Sequence, residues 1–356
     1  MDDVKLSIIN YQSSIINQFL ISHFTLNMTA LEQKLLDTIQ DAFPLEERPY
    51  QVLADLFNEQ GSVGVVTERQ VFDAVEGLRN SGVIRRIGGI YDSRSLGFIS
   101  RLCAGKVTDV DGFAAVVNEI PAITHNYVRS HEFNVWFTVI AENEAEVQKV
   151  VDSLCNRTDL HDVHILSVTK KFKINTVMEC HPELFDKLRV NSTKVKSLAS
   201  NDNQNSALTP RGKDLSQSDR DRIRVACSDI PHSLTPFVDW GVSVEELRND
   251  IADGYMRRFG AILRHQQAGF AYNAMVCFDA PTAAGAVLAE NPHISHCYER
   301  PAFEGFPYNL YAMMHAQSAE DLECFIKDAA QSIGNPDYAV LHSVKELKKT
   351  SFPFFA

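Results

Sequence analysis

The sequence predicts an α+β protein built as a tandem duplication, in which each copy carries three helices followed by a βαββαβ unit. The segment VIRRIGGI at residues 83–90 recurs 172 residues later as YMRRFGAI. Farther on, THNYVR at 124–129 recurs as SHCYER at 295–300, and FNVW at 133–136 as YNLY at 308–311. Three matches in the same order are typical of an internal duplication.

The first part of each copy has the pattern of a winged helix-turn-helix. Residues 29–82 hold three runs of apolar side chains at helical spacing, and Gly82 ends the third. Residues 84–91 then read as a short β-hairpin with Gly88 and Gly89 at the bend. The apolar positions are Leu31, Leu35, Leu36 and Ile39, then Val52, Leu56 and Phe57, then Val71, Val75 and Leu78.

The second part of each copy alternates strands and helices in the order of a ferredoxin-like βαββαβ unit. In copy 1 the sequence predicts strands at 102–107, 123–129, 135–141 and 163–172, with helices at 110–120 and 145–154. Copy 2 repeats this order from 273 to 345. Helices at 216–226 and 243–254, with a short one between them, precede it.

These elements divide the chain into six segments. Residues 179–214 are mostly polar and read as a linker. The predicted segments are an N-terminal extension 1–28, a winged helix-turn-helix 29–98, a ferredoxin-like domain 99–178, the linker 179–214, a second winged helix-turn-helix 215–270 and a second ferredoxin-like domain 271–350. Because each copy is a complete two-domain unit, we expect the copies to pair as an intramolecular pseudo-dimer. The sequence leaves a homo-oligomer open.

The composition is that of a soluble protein, with 45% hydrophobic and 22% charged residues among 356. No apolar run is long enough to span a membrane. The N-terminus opens with two aspartates, unlike a secretion signal, and translation from Met1 or from Met28 both remain open. Seven scattered cysteines without a CxxC pair favour a reducing cytoplasm and indicate no disulfide framework.

A winged helix-turn-helix followed by a ferredoxin-like domain resembles the Lrp/AsnC family of transcription regulators. DNA reading, however, needs basic or polar residues on the recognition helix. The presumed recognition helices, at 67–82 and 243–254, are both net negative, and the whole chain carries a formal charge of -12. The sequence therefore predicts that the helix-turn-helix remains as a scaffold and binds no nucleic acid.

Basic residues and histidines concentrate instead in the repeated motifs, and these motifs resemble the siroheme decarboxylase family. In copy 1 they are RRIGGIYDSRSLGF, THNY and NVWF, and in copy 2 MRRFGAILRHQQAGF, SHCYERP and PYNLY. The resemblance covers about residues 29–178 and 215–350. It implies a fused form of two homologous subunits, with copy 1 similar to the first and copy 2 to the second.

The resemblance implies removal of carbon dioxide from the acetate side chains at C12 and C18 of siroheme, in the synthesis of heme or of heme d1. The iron belongs to the substrate, and we expect no further cofactor. The alternatives are an Lrp/AsnC-type transcription regulator, a heme-responsive binding protein, and a tetrapyrrole carrier without catalytic activity. The sequence does not decide between the two heme pathways.

A polycarboxylate macrocycle needs guanidinium groups for its carboxylates and aromatic side chains for its faces. The repeated motifs supply both, although plain core packing is an equal alternative for each aromatic. Trp136, Phe259 and Phe270 are further aromatic candidates. The predicted substrate-binding residues are Arg85, Arg86, Tyr127, Arg129, Arg257, Arg258, Arg264, Tyr298, Arg300 and Tyr311.

The predicted catalytic residues are His125, His265 and His296, because loss of carbon dioxide from a pyrrole acetate calls for a general acid that titrates near neutrality. His125 and His296 hold equivalent places in the repeat, each followed by Tyr two residues later and Arg four residues later, so alternation puts the three on one strand face. His131 and His315 lie near the motifs but lack histidine counterparts. One histidine of this set ligating the substrate iron is a further alternative.

The copies diverge beyond the wing. Asp92 and Ser93 stand in copy 1 where copy 2 has Arg264 and His265. The sequence therefore leaves two arrangements open: one working pocket that handles both acetates, or two unequal pockets.

Overall fold

The computed structural model describes residues 28–61, 63–174, 215–264 and 272–356. The described chain forms two compact units. The helical unit contains 28–90 and 228–264, and the sheet unit contains 91–174, 215–227 and 272–356. None of the described helices is long and apolar enough to cross a membrane.

The helical unit contains the three helices predicted for copy 1 and two of copy 2. Capping boxes at Thr29 and Thr67 begin α1 and α3, and Gly61, with φ 62°, ends α2. The buried face of α2 includes Leu53 and Phe57, while Val52 is 40% exposed, so the predicted face of this helix was wrong at that position. The helices are α1 (Ala30–Ile39), α2 (Pro49–Gln60), α3 (Glu68–Asn80), α7 (Pro236–Trp240) and α8 (Val244–Ala252).

The predicted hairpin at residues 84–91 is wrong. These residues form one strand, β1 (Ile84–Tyr91), which pairs with β7 (Met256–Leu263) of copy 2 in a two-stranded sheet. Neither Gly88 nor Gly89 has the positive φ that a tight hairpin turn requires. The wing of each copy is therefore completed by the other copy.

The sheet unit contains the two predicted βαββαβ units, together with the first helix of copy 2. Copy 1 contributes β2 (Ile99–Lys106), α4 (Val110–Glu119), β3 (Ile123–Arg129), β4 (Val135–Ala141), α5 (Glu144–Arg157), β5 (His161–Leu166) and β6 (Lys170–Ile174). Copy 2 contributes α6 (Gln217–Ala226), β8 (Tyr272–Phe278), α9 (Ala284–Glu290), β9 (Ile294–Glu299), β10 (Leu310–Ala316), α10 (Ala319–Ser332) and β11 (Tyr338–Lys349).

Nine strands of the described chain form one sheet, in the order β5-β2-β4-β3-β11-β8-β10-β9-β6. The last strand of each copy pairs first within its own copy and then with the other copy. Residues 338–342 of β11 pair with β8, and residues 343–349 pair with β3. In copy 1 the corresponding strand, predicted as one, is divided into β5 on β2 and β6 on β9. This reciprocal exchange joins the two copies as a pseudo-dimer.

Each copy packs the outer face of its strands against its own helices. The inner face forms a third core shared by both copies. Trp136 of copy 1 and Phe306 of copy 2 meet there, with ring centroids 5.5 Å apart. Phe303 and Phe306 come from the loop between β9 and β10, which is five residues longer than the loop between β3 and β4 in copy 1. The side chains on this inner face define the site described next.

Candidate active site

A β-bulge lies at the same place in both copies, immediately before the repeated histidine. Along β3, Ile123 pairs with Val139 and His125 with Thr138, so Thr124 is the extra residue. Along β9, Ile294 pairs with Met314 and His296 with Met313, and Ser295 is the extra residue. Bulges redirect side chains and are common beside active sites.

Each bulge places a hydroxyl against the imidazole that follows it. The Thr124 Oγ1 lies 3.0 Å from Nδ1 of His125, and the Ser295 Oγ lies 2.9 Å from Nδ1 of His296. Because a hydroxyl contacts Nδ1, the orientation of the ring is fixed and Nε2 points away from that hydroxyl. Both copies thus contain an oriented, partly buried histidine.

Copy 2 adds a second histidine to this arrangement. The Nε2 of His315 lies 3.0 Å from the same Ser295 Oγ. Burial lowers the pKa of His315 to about 3, and the nearby positive charges of His296, Lys349 and Arg129 act in the same direction. His315 was expected near the motifs but was not among the predicted catalytic residues, because copy 1 has Ile140 in its place.

The tyrosine and arginine of each motif lie together, as the strand alternation predicted. The Arg129 guanidinium stands over the Tyr127 ring at 5.0 Å, and that of Arg300 stands over the Tyr298 ring at 5.2 Å. In copy 2 the His296 and Tyr298 rings also stack, with centroids 6.2 Å apart. The three side chains of that motif therefore share one face.

The two motif arginines are buried and hold backbone of the other copy. Arg129 is 5% exposed and donates to the Leu341 carbonyl at 3.2 Å, while Arg300 is 9% exposed and donates to the Leu166 carbonyl at 2.9 Å. Burial lowers the pKa of both, that of Arg129 to about 10. These hydrogen bonds connect each arginine to a strand of the other copy, at Leu341 in β11 and at Leu166 in β5. A role in substrate binding stays a prediction for this pair.

Tyr311 is also buried, at 3% exposure, in the shared core. Burial raises the pKa of its phenol, and Arg300 stands 5.9 Å from its ring centre. Its neighbours are therefore protein side chains, and contact with a ligand stays a prediction. The same holds for Trp136, whose Nε1 donates to the Phe133 carbonyl at 2.7 Å.

The remaining predicted arginines lie in the helical unit, where the pairing of β1 with β7 brings both repeats into one small sheet. The predicted residues on or next to these strands are Arg85, Arg86, Arg257, Arg258 and Arg264. Arg257 and Arg264 are exposed, and the other three are partly buried. Burial lowers the pKa of Arg258 to about 10, and the charges of Arg257 and Arg86 add to this effect. The sheet therefore concentrates positive charge from both copies.

His265 lies outside the described residues. His131 lies beside the shared core, where its ring meets that of Phe306 at 5.2 Å, and burial lowers its pKa. Among the described residues, no cluster of His, Cys, Asp and Glu could hold a metal ion. A groove of about 420 Å³ in the helical unit is lined by Glu46, Glu47 and Glu245, which would repel a polycarboxylate.

The fold and the site define a two-copy protein with a helix-turn-helix unit and the ligand-binding architecture of the AsnC type. The pattern described as "AsnC-like ligand binding domain" matches residues 95–173 and 267–348. The pattern described as "Siroheme decarboxylase NirDL-like HTH domain" matches residues 32–85. The prediction of a helix-turn-helix joined to a ferredoxin-like domain is thereby confirmed.

The chain belongs to the siroheme decarboxylase family. It is 32% identical to the siroheme decarboxylase of Hydrogenobacter thermophilus, over 91% of this chain and 94% of that protein. It is also 41% and 36% identical to the alpha and beta subunits of the siroheme decarboxylase of Desulfovibrio desulfuricans, over 42% and 37% of this chain and 82% and 92% of those subunits. The crystal structure of the siroheme decarboxylase NirDL in complex with an iron-uroporphyrin III analogue matches with a TM-score of 0.61 at 28% identity, covering 91% of this chain and 94% of that one.

Proposed function

We propose that this chain is a carboxy-lyase that removes carbon dioxide from the C12 and C18 acetates of siroheme and releases 12,18-didecarboxysiroheme. The similarity to siroheme decarboxylases over nearly the whole chain supports the substrate class. A related structure was solved with an iron-uroporphyrin III analogue, which supports binding of an iron tetrapyrrole with carboxylate side chains. The proposal holds for both the heme and the heme d1 pathways.

The observation that carries the proposed chemistry is the oriented histidine of copy 2. The Nδ1 of His296 lies 2.9 Å from a hydroxyl that also contacts His315. The proposal assigns the exchange of a proton with a ligand on the inner face to Nε2 of His296. An imidazole titrates near neutrality, so it can both give and take the proton that the reaction needs.

Each decarboxylation consumes one proton overall. A protonated imidazole gives its proton to the ring carbon next to the one that carries the acetate, and the ring becomes cationic. The bond between the acetate methylene and its carboxylate then breaks, and its electron pair forms an exocyclic double bond that neutralises the ring. The methylene carbon takes up a second proton, the ring carbon returns the first, and a methyl group remains in place of the acetate.

The substrate carries several carboxylates, whereas the chain is acidic overall. We propose that the arginines of the β1–β7 sheet bind some of these carboxylates, because guanidinium groups pair with them in a bidentate manner. Arg257 and Arg264 are exposed there and belong to copy 2. The iron comes with the substrate, and the proposed steps require no further cofactor.

Binding of DNA is the less favoured alternative, because the basic side chains of the two presumed recognition helices are engaged by acids. Arg69 pairs with Asp73 at 2.9 Å, and Arg248 pairs with Glu46. Arg79 is 5% exposed and pairs with Glu76 and Asp229. Readout of bases and phosphates requires side chains that can reach the nucleic acid.

We also propose that the protein works in the cytoplasm as an intramolecular pseudo-dimer. All six cysteines in the described part of the chain are free thiols, and Cys103, Cys277 and Cys297 among them are buried. Free buried thiols suit a reducing compartment. Further assembly into a homo-oligomer is left open by this proposal.

The direct test is incubation of the purified protein with siroheme in the absence of oxygen, followed by mass analysis of the tetrapyrrole. We expect a product that has lost two carbon dioxide units. A protein that binds siroheme and returns it unchanged would be a carrier and would contradict the proposal. Heat-denatured protein controls for spontaneous decarboxylation.

A further inference from the structure

The residue that separates the two copies most sharply is His315. Strand β10 has His315 where the repeat in β4 has Ile140. The hydroxyl of Ser295 therefore lies between two imidazoles, 2.9 Å from Nδ1 of His296 and 3.0 Å from Nε2 of His315. In copy 1 the hydroxyl of Thr124 lies 3.0 Å from Nδ1 of His125, and Ile140 occupies the position equivalent to His315.

His315 stays neutral at any pH near neutrality, because burial and the charges of His296, Lys349 and Arg129 lower its pKa to about 3. A neutral imidazole always has one ring nitrogen without a proton, and that nitrogen accepts a hydrogen bond. His315 can therefore accept a hydrogen bond from Ser295 when its own ring proton is on Nδ1, whereas the proposed chemistry requires His296 to gain and lose a proton.

The hydroxyl of Ser295 has a single proton, and this fixes the direction of the hydrogen bonds. When His296 is protonated, its Nδ1 must donate, so the Ser295 oxygen accepts. The serine proton then goes to Nε2 of His315 at 3.0 Å or to the Met313 carbonyl at 3.3 Å. The histidine is the nearer of the two, and with the His315 proton on Nδ1 the bonds run from His296 through Ser295 to Nε2 of His315.

A row of polar contacts begins at the residue that pairs with His315 across the sheet. Asn273 lies directly opposite His315 in the pairing of β8 with β10. The Ser343 hydroxyl donates to the Asn273 Oδ1 at 2.5 Å, and Arg129 donates to the Ser343 hydroxyl at 2.6 Å. Hydrogen bonds therefore connect the buried arginine of the copy 1 motif to Asn273, the residue opposite His315 of copy 2.

We propose that His315 is a positioning residue which, through Ser295, keeps the proton of neutral His296 on Nδ1 and leaves Nε2 of His296 as the atom that exchanges protons with the substrate. The consequence for catalysis rests on the proposed function, but the position of the proton does not. After His296 gives its Nε2 proton to the substrate, the bond from Nδ1 to Ser295 remains in place. The ring is then set to receive the next proton on the same atom.

The proton position can be measured without substrate, by nitrogen NMR of protein labelled with ¹⁵N-histidine. The signals of His296 are assigned by their loss in His296→Gln. We expect neutral His296 to carry its proton on Nδ1, which is the less common form of free histidine. His315→Ile, which copies the residue of copy 1, should return His296 to the common Nε2–H form. His315→Gln should keep the Nδ1–H form, because its amide oxygen can accept from Ser295.

The activity of the same variants supplies the second readout. We expect kcat for siroheme decarboxylation to fall roughly 10-fold or more in His315→Ile with little change in KM, and to recover in His315→Gln. Ser295→Ala should repeat the effect of His315→Ile on both the proton position and kcat, and it serves as the second variant if His315→Ile does not fold. Thermal unfolding of each variant checks the fold.

The outcomes separate the two proposals. If wild-type His296 carries its proton on Nε2, or if neither His315→Ile nor Ser295→Ala moves it, the positioning role is wrong. If the proton position behaves as expected but the wild-type protein does not decarboxylate siroheme, the proposed function fails while the positioning of His296 stands.

Discussion

The two copies share a β-bulge before the repeated histidine but differ in the side chains around that histidine. Both strands have the bulge, the hydroxyl and the histidine, as Thr124 with His125 and Ser295 with His296. Only copy 2 has the additional histidine, His315, at the position of Ile140. Duplication has therefore preserved the geometry that orients an imidazole, whereas the surroundings that control its proton exist in one copy.

The comparison predicts unequal losses when each repeated histidine is replaced. His296→Gln should lower kcat roughly 100-fold to 1,000-fold, since positioned general acids contribute on that scale. His125→Gln should cost much less, because its ring has no counterpart of His315. Steady-state kinetics with siroheme under anaerobic conditions measures both, and a larger loss in His125→Gln would reverse the assignment of the copies.

The buried arginines differ in the number of contacts they make, and this predicts different costs in stability. Arg129 reaches the Leu341 carbonyl, the Ser343 hydroxyl and the sulfur of Met313, whereas Arg300 reaches the Leu166 carbonyl. Each substitution leaves a buried carbonyl without its partner. We expect Arg129→Met to lower the free energy of unfolding by about 2–3 kcal/mol and Arg300→Met by about 1–2 kcal/mol.

Denaturant unfolding followed by far-ultraviolet circular dichroism measures this difference. Arg157→Met, which replaces an arginine in a surface ion pair with Glu119, is the matched control and should change stability by less than about 1 kcal/mol. Equal free energies of unfolding for all three variants would show that the motif arginines do not stabilise the contact between the copies.

The low pKa of His315 predicts how stability depends on pH. The folded chain binds this proton only near pH 3, whereas the unfolded chain binds it near pH 6.5. Between these values the unfolded state holds more protons, so stability is complete above about pH 6.5 and falls as the pH decreases. His315→Gln should remove up to about 1.4 kcal/mol per pH unit from this slope.

Unfolding curves between pH 4 and pH 7 test the slope. His161→Gln, at an exposed position of β5, is the control and should follow the wild-type dependence. If His315→Gln and wild type keep the same slope, the imidazole of His315 is accessible to protons in the folded chain.

The smallest expected effect concerns substrate binding by the wing that differs between the copies. Copy 2 has Arg264 where copy 1 has Asp92. We expect Arg264→Ala to raise KM for siroheme by roughly 5-fold to 10-fold with little change in kcat, and this effect should shrink at high salt. An unchanged KM would exclude Arg264 from carboxylate binding.

The sequence was sufficient to predict the duplication, the order of the elements and the strands that carry His125 and His296. Their regular spacing encodes local structure that each copy forms by itself. It was insufficient at the places where one copy completes the other. The predicted hairpin became β1 paired with β7, and one predicted strand became β5 and β6 on different partners, because pairing between distant segments leaves no local signal.

The candidate site, too, was predictable only where it depends on local sequence pattern. Alternation along the strands correctly grouped Tyr127 with Arg129 and Tyr298 with Arg300. It did not indicate that both guanidiniums are buried, since burial depends on the partner strand. His315 was placed near the motifs but was not among the predicted catalytic residues, because copy 1 has no histidine at that position. Its lack of a counterpart was the signal that could have identified it, since a polar residue in one copy opposite an aliphatic residue in the other marks divergence.

The central claim is that copy 2 performs the chemistry on siroheme. Its most direct test is the mass distribution of tetrapyrroles after anaerobic incubation of siroheme with wild type, His125→Gln and His296→Gln. We predict loss of two carbon dioxide units with wild type and with His125→Gln, and unchanged siroheme with His296→Gln over the same time. A singly decarboxylated product accumulating with His125→Gln, or two losses retained at the wild-type rate with His296→Gln, would contradict the claim.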